Sequence, residues 1–185
     1  QPMLVQFPTA MQVGVAAVNS ASEPFTAQLD GFELFPVSLA QIFGNVVQGN
    51  FLGTDASGAM ALGNDFSGVF VNGGHNNTIG GSLAGARNVL SGNSTSGVAI
   101  ENGATRNHVQ GNFIGTRNAG MGDLGNRFDG VFVSNSAMNT IGGAQLGAGN
   151  VIAGNDSDGI DIRGAGATDN SVQGNLIGTD ATGTT

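Results

Sequence analysis

Apolar and polar residues alternate along most of the chain in short pieces of three to five positions, and Gly or Asn separates the pieces. This period of two is typical of a β-strand, because successive side chains of a strand point to opposite faces. The pieces are too short for helices of ordinary length. Gly and Asn both tolerate the left-handed backbone conformation of a sharp corner. The pattern therefore predicts an all-β chain of short strands joined by tight turns.

One piece, Gly-apolar-x-apolar, occurs four times, as GVFV at 68–71, GVAI at 97–100, GVFV at 130–133 and GIDI at 159–162. The four starts are 29, 33 and 29 residues apart, so two alternating coils make up a longer repeat of 62 residues. The longer repeat is also visible in NVVQGNFLGTDASGAMALGN at 45–64 and HVQGNFIGTRNAGMGDLGN at 108–126. A fixed period of this kind indicates a solenoid, in which each repeat packs on its neighbours.

Two further apolar pieces accompany each copy, and each of them follows an Asn. Three strands per coil, stacked on the same strands of the next coil, make a parallel β-solenoid with neighbouring strands ~4.8 Å apart. The alternation then predicts four inward columns, and every member is apolar: Val69, Val98, Val131, Ile160; Val71, Ile100, Val133, Ile162; Ile79, Val109, Ile141, Val172; Leu52, Leu90, Ile114, Ile152, Ile177.

The recurring run N-x-[IV]-x-G, N-[VFL]-[IL]-x-G, G-[VI]-x-[IV] resembles the right-handed parallel β-helix repeat family over roughly residues 45–185. That family includes large secreted or surface bacterial proteins, polysaccharide lyases and phage tail proteins. The resemblance implies a right-handed parallel β-helix and an extracellular or cell-surface location. It leaves the function open, because the same coil serves enzymes and inert spacers.

Two columns of Asn recur once per coil: Asn64, Asn93, Asn126, Asn155 and Asn77, Asn107, Asn139, Asn170. Side-chain amides in register at one corner can donate and accept hydrogen bonds up and down the stack. Buried polar groups are normally hydrogen-bonded, so we expect these columns to be structural ladders.

Residues 1–40 do not share the repeat, which predicts two regions: an N-terminal β segment at 1–40 and a solenoid of about four and a half coils at 41–185. MQVGVAAVNS at 11–20 and PFTAQLDGFELFP at 24–36 are typical of two antiparallel strands. Residues 11–36 resemble the final strands of a concanavalin-like lectin or glucanase domain. The alternative is a β cap over the open end of the solenoid.

Composition narrows the choice of partner. Charged residues are only 10% of the chain, and the net charge of −8 comes with five Arg and no Lys. Nucleic acid is disfavoured, because phosphate binding needs a basic face. A neutral polysaccharide, a divalent cation, or another copy or domain of the same protein fits this charge better. No apolar run is long enough to span a bilayer, so we expect no membrane insertion.

The outward face of the Gly-apolar-x-apolar strands carries the candidate chemistry. Asp129 and Asp158 hold equivalent places in adjacent coils, ~5 Å apart, and Asp161 and Arg163 follow on the same face. Carboxylates that close repel unless a proton or a cation is shared. Three hypotheses follow: solvated carboxylates, a Ca²⁺ site at Asp129 and Asp158, or a catalytic acid–base group of Asp129, Asp158 and Asp161. Calcium is the only cofactor this pattern indicates.

NDSDGIDI at 155–162 resembles the polygalacturonase motif N-T-D-G-[IVF]-D, which implies catalytic carboxylates at Asp158 and Asp161. The chain departs from that family, because it has no Lys and no Gly-His-Gly or Arg-Ile-Lys motif. The same face carries the candidate ligand-binding residues Phe70, Phe128, Phe132 and Arg163. Exposed aromatic rings in a column favour either stacking on sugar rings or burial under another domain or chain.

These observations favour a non-catalytic structural, adhesive or assembly module of a larger secreted or cell-surface protein. The chain begins at Gln rather than Met, so we expect it to be a piece of that larger protein. A polysaccharide lyase or glycoside hydrolase that uses the acidic face is one alternative. A subunit that stacks end to end into a filament is the other.

Overall fold

The structure is a computed structural model that describes residues 44–184 and two strands upstream of them, β1 (Gln28–Leu29) and β2 (Phe32–Glu33). The chain divides into two units, Gln1–Gln41 and Ile42–Thr185. In the first unit β1 and β2 pair antiparallel. The sequence pattern predicts one strand over 24–36, and the described residues contain two. The sequence between them is Asp-Gly, a dipeptide that favours a break between two strands, and the apolar alternation over 24–36 does not take it into account. The strand predicted at 11–20 lies outside the described residues.

The second unit is a parallel β-solenoid, as the repeat predicts, built from three sheets. The first sheet contains β3 (Val46–Val47), β6 (Thr78–Gly80), β9 (His108–Gln110), β12 (Thr140–Gly142) and β15 (Ser171–Gln173). The second sheet contains β4 (Phe51–Leu52), β7 (Val89–Leu90), β10 (Phe113–Ile114), β13 (Val151–Ile152) and β16 (Leu176–Ile177). The third sheet contains β5 (Val69–Asn72), β8 (Val98–Glu101), β11 (Val131–Ser134) and β14 (Ile160–Arg163).

The chain visits the three sheets in turn, and each strand of this unit pairs in parallel with the equivalent strand of an adjacent coil. The described strands make four complete coils and two strands of a fifth. The one helical element among them is the 3₁₀ turn Ala84–Ala86. No helix in residues 44–184 is both long enough and apolar enough to cross a bilayer.

The predicted inward columns form the core. Their central members are fully buried: Ile79, Leu90, Val98, Ile100, Val109, Ile114, Val131, Val133, Ile141 and Ile152. Burying such a side chain stabilises the folded state by about 1.5–3 kcal/mol. Val172 and Ile177 are 43% and 48% exposed, because β15 and β16 each pair with only one neighbouring strand in the described part of the chain. Stacking of coils, rather than any single coil, therefore supplies the core.

Both predicted Asn ladders are confirmed, and a third one is present. Each rung donates its backbone N–H and one side-chain N–H to the Oδ1 atom of the next Asn, as Asn77 does to Asn107 at 3.0 and 2.8 Å. The second side-chain N–H of Asn107 reaches the carbonyl of Gly74 at 3.0 Å. The third ladder, which the sequence analysis missed, precedes the second-sheet strands and contains Asn50, Asn88, Asn112, Asn150 and Asn175.

Loops of alternate coils account for the 62-residue period. Residues 53–68 and 115–130 form long connections between the second and third sheets, whereas the intervening coil has only residues 91–97 there. The long loops touch each other across that short coil, since the Asn118 N–H donates to the Gly58 carbonyl at 3.0 Å. They also pack on the outside of the second sheet, where Val89, Phe113 and Val151 form a separate buried cluster. The outside of the second sheet is thus partly covered.

Candidate ligand groove and acidic cluster

The outer face of the third sheet forms a trough. Phe70, Ala99, Phe132 and Asp161 occupy equivalent positions of β5, β8, β11 and β14 and pair in register. The Phe70 side chain is 53% exposed, whereas Ala99, the small residue between the two rings, is only 3% exposed. Alternation of strand residues puts these side chains outward, and the difference in their size produces the depression.

This trough, together with the residues that flank it, is a groove of about 340 Å³, and we call it the aromatic groove. Its lining residues are Phe66, Ser67, Phe70, Thr95, Ser96, Ala99, Glu101, Phe128, Asp129, Phe132 and Arg163. All four sequence-predicted ligand residues, Phe70, Phe128, Phe132 and Arg163, are brought together here. Phe66 and Phe128 are 76% and 52% exposed, so an approaching molecule reaches aromatic surface directly.

Three aspartates meet at the C-terminal end of the groove, and we call them the acidic cluster. One carboxylate oxygen from each of Asp129, Asp158 and Asp161 lies within 4.8 Å of the other two. Asp129 is buried and accepts a hydrogen bond from the Asp158 N–H at 3.1 Å, whereas Asp158 is exposed. The proximity that the repeat predicted is present. It arises because Asp129 and Asp158 both stand immediately before the Gly that opens a third-sheet strand.

Arg163 is the cation of this face. Its guanidinium lies 3.4 Å from the Asp161 carboxylate and 4.6 Å from the centre of the Phe132 ring. The Arg163 side chain is 67% exposed, so the ion pair is well solvated and contributes little stability. The same guanidinium, however, covers part of one aromatic ring of the groove.

Two kinds of chemistry are geometrically compatible with the acidic cluster. Ca²⁺ binds six to eight oxygens at 2.3–2.6 Å, so two of its ligands lie at most about 5 Å apart. The three oxygens lie within 4.8 Å of one another, so the three aspartates can supply three of those ligands. Carboxylates this close are also more typical of a retaining glycosidase, whose two carboxyl groups lie ≈ 5–5.5 Å apart, than of an inverting one, whose carboxyl groups lie farther apart. Both hypotheses therefore remain predictions.

His75, His108 and Asp55 do not line the aromatic groove. His75 Nδ1 is 2.8 Å from the Thr105 hydroxyl, and His108 lies half-buried on β9 in the first sheet. The pKa of the Asp55 carboxyl lies below its ordinary value, because the Ser57 hydroxyl and nearby backbone N–H groups donate to it. The Asp55 carboxylate thus accepts hydrogen bonds from residues of its own loop. In the next copy of that loop the equivalent residue is Arg117.

Glu101, Ser67 and Thr95 line the groove but were not singled out from the sequence. One residue directly follows each Gly-apolar-x-apolar piece, and the four residues at this position are Asn72, Glu101, Ser134 and Arg163. Two of the four are charged, and this charge is the feature of the sequence that points to Glu101. Ser67 and Thr95 are joined by a hydrogen bond of 2.9 Å between their hydroxyl groups. Such polar residues look like ordinary surface positions until the coils are stacked.

A comparison with protein-family models matches none of them, and searches of curated proteins and of solved structures likewise find no match to this chain. Evidence about function therefore comes from the groove and its neighbouring residues.

Substitution of Asp129 separates the structural role of this residue from a metal-binding role. Asp129→Ala leaves the Asp158 N–H without its acceptor, so we expect the free energy of unfolding to fall by about 1–3 kcal/mol. Asp129→Asn keeps an acceptor oxygen and removes one of three close negative charges. We expect it to leave that free energy unchanged or to raise it slightly in urea unfolding. An equal loss with both substitutions, measured with Ca²⁺ present, would instead show that the negative charge is needed, as at a bound cation.

Proposed function

We propose that this chain is a non-catalytic binding module of a secreted or cell-surface protein, which holds an extended carbohydrate chain in the aromatic groove. The observation that carries the proposal is the pair of outward rings, Phe70 and Phe132, in register on either side of Ala99. Two strand spacings separate the rings, roughly 9–10 Å. A ligand that touches both rings must therefore be extended along the solenoid axis.

The composition of the groove supports a carbohydrate. Aromatic faces pack against the C–H face of a sugar ring, and the hydroxyl groups around that ring need hydrogen-bonding partners. The Ser67 and Thr95 hydroxyls can donate and accept, and the Glu101 and Asp129 carboxylates accept. Ligand sites commonly combine apolar walls with a few polar groups in this way.

The ladders support the proposal because they hold the groove in one conformation. Asn93 and Asn126 lie just before the third-sheet strands β8 and β11 and are fully buried or nearly so. Their side chains hydrogen-bond along the stack at 2.8 Å. A preorganised face loses little conformational entropy when a ligand binds, which favours affinity.

The test is retention on a panel of immobilised polysaccharides, followed by titration calorimetry with oligosaccharides of the polymer that binds. We expect Phe70→Ala and Phe132→Ala each to weaken binding about 5–10-fold, as truncation of an aromatic contact does. Phe51→Ala is the matched control, because Phe51 is an exposed ring of the second sheet. Equal affinity of all three variants, or no retention on any polymer, would contradict the proposal.

A glycoside hydrolase that uses the acidic cluster is the second candidate, favoured by the close approach of Asp129, Asp158 and Asp161. The same panel separates the two candidates. Release of reducing ends from a bound polymer, abolished by Asp158→Asn with binding retained, would replace the binding-module proposal with the hydrolase.

A further inference from the structure

The two halves of the aromatic groove are copies of each other under the 62-residue repeat, and they differ in charge. Phe70 corresponds to Phe132, and Glu101 corresponds to Arg163. The register confirms that the copies are equivalent in space, since Asn72 pairs with Glu101 as Ser134 pairs with Arg163. In each half, the charged residue belongs to the next coil. It comes two positions after the residue that pairs with the Phe.

In the second half the protein supplies its own cation to the ring. The Arg163 guanidinium lies 4.6 Å from the centre of the Phe132 ring, within the range of a cation–π interaction. Asp161 provides the negative charge beside it at 3.4 Å. This half therefore contains a complete set of aromatic ring, cation and carboxylate.

In the first half the same place lacks a cation. Glu101 is the residue equivalent to Arg163, and it lines the groove together with the exposed Phe70 ring. Within residues 44–184 no hydrogen bond or ion pair reaches the Glu101 carboxylate, and no cation lies over the Phe70 ring. The first half thus presents an aromatic ring and a carboxylate without a cation, whereas the second half holds a cation of its own.

The charge of the whole face favours a cationic occupant. The groove and the acidic cluster together hold four carboxylates, Glu101, Asp129, Asp158 and Asp161, against the single guanidinium of Arg163. The chain as a whole carries a net charge of −8. An anionic ligand is repelled by this field, whereas a cationic ligand is attracted to it.

We propose, building on the proposed function, that the carbohydrate held in the aromatic groove carries free amino groups, and that one protonated amine binds between the Phe70 ring and the Glu101 carboxylate. The ammonium supplies to the first half the positive charge that the Arg163 guanidinium supplies to the second half. The sugar rings on either side pack along the Phe70–Ala99–Phe132 trough. A polymer of glucosamine units has this chemistry, because it combines a regular extended backbone with one primary amine per unit.

A pair of matched ligands tests the inference. Hexamers of β-1,4-linked glucosamine and of N-acetylglucosamine have the same backbone, and only the first is cationic when its amines are protonated. In calorimetry at low ionic strength we expect the glucosamine hexamer to bind the wild-type protein about tenfold more tightly. Glu101→Gln keeps an acceptor oxygen but removes the charge beside the Phe70 ring, so it should lower that preference severalfold.

Arg163→Gln provides the opposite control. Removing the guanidinium uncovers the Phe132 ring beside Asp161, so this variant should bind the glucosamine hexamer severalfold more tightly than the wild-type protein does. Equal affinity of the wild-type protein for the two hexamers would overturn the inference and leave the carbohydrate-binding proposal standing. Retention on neutral polymers alone would likewise overturn the inference and leave the carbohydrate-binding proposal standing. Retention on no polymer would overturn both the inference and that proposal. Preferential binding of hexalysine over the glucosamine hexamer would assign the cation site to a peptide instead.

Discussion

Asn112→Ala is expected to lower the free energy of unfolding by about 3–4 kcal/mol. Asn112 is fully buried at the centre of the third ladder. Its Oδ1 atom accepts the backbone and side-chain N–H groups of Asn88 at 3.2 and 2.9 Å. Its Nδ2 group donates to the carbonyl of Ile79 at 2.9 Å and to Asn150 at 3.0 Å. Alanine supplies none of these partners, and several buried polar groups then lose hydrogen bonds that water cannot replace.

Asn50→Ala is the matched control on the same ladder. Asn50 is exposed and forms the first rung within residues 44–184, where its side chain donates to Asn88 and accepts from no other Asn. We expect this substitution to cost about 1 kcal/mol or less, because the Asn88 Oδ1 atom still accepts the backbone N–H of residue 50, which lies 3.0 Å away. Urea unfolding of the two variants measures the difference directly. Similar small losses for both would show that the ladder contributes far less than its geometry implies.

Gly80→Ala is expected to cost about 3 kcal/mol or more, through two separate effects. Gly80 has a φ of +84°, in the left-handed region that a residue with a Cβ atom adopts at a cost. A Cβ atom built there also overlaps the Gln110 carbonyl oxygen and the Asn112 side chain of the next coil. The neighbouring coil therefore has to move, which disturbs both the strand pairing and the ladder.

Gly103→Ala isolates the conformational part of that cost. Gly103 has a similar φ of +79°, and no atom lies within 4 Å of a Cβ atom built on it. We expect a loss of about 1–2 kcal/mol, which is the penalty of the left-handed conformation alone. Urea unfolding of Gly80→Ala and Gly103→Ala measures the two losses. Equal losses at the two positions would mean that the coils can separate locally without cost.

The coil architecture was predictable because inward positions of a solenoid must be apolar in every coil. Val98, Val131 and Ile141 could be assigned to the core from alternation and period alone, and all three are fully buried. The third ladder was missed because an Asn at the start of a two-residue strand looks like an ordinary turn residue. The stacking of Asn118 on Gly58 was not predictable either, since that contact skips a coil and depends on loop conformation.

The candidate site was only partly predictable. Register alone brought Asp129 and Asp158 together, because equivalent residues of adjacent coils must be neighbours. The depth of the groove depends on the size difference between Phe70 and Ala99, which becomes visible only when the coils are stacked. The placement of Arg163 over Phe132 depends on a side-chain conformation that no repeat pattern specifies. The activity itself does not follow from the coil, because the same architecture supports many functions.

An NMR titration of the isotope-labelled protein with the glucosamine hexamer determines whether the third sheet binds the ligand. We expect shift changes in the amides of β5, β8, β11 and β14, largest around Phe70 and Glu101. We expect little change in the second-sheet strands that carry Phe51 and Val89. Shift changes concentrated on the second sheet, or none at any position at millimolar ligand, would rule out a ligand site on the third sheet.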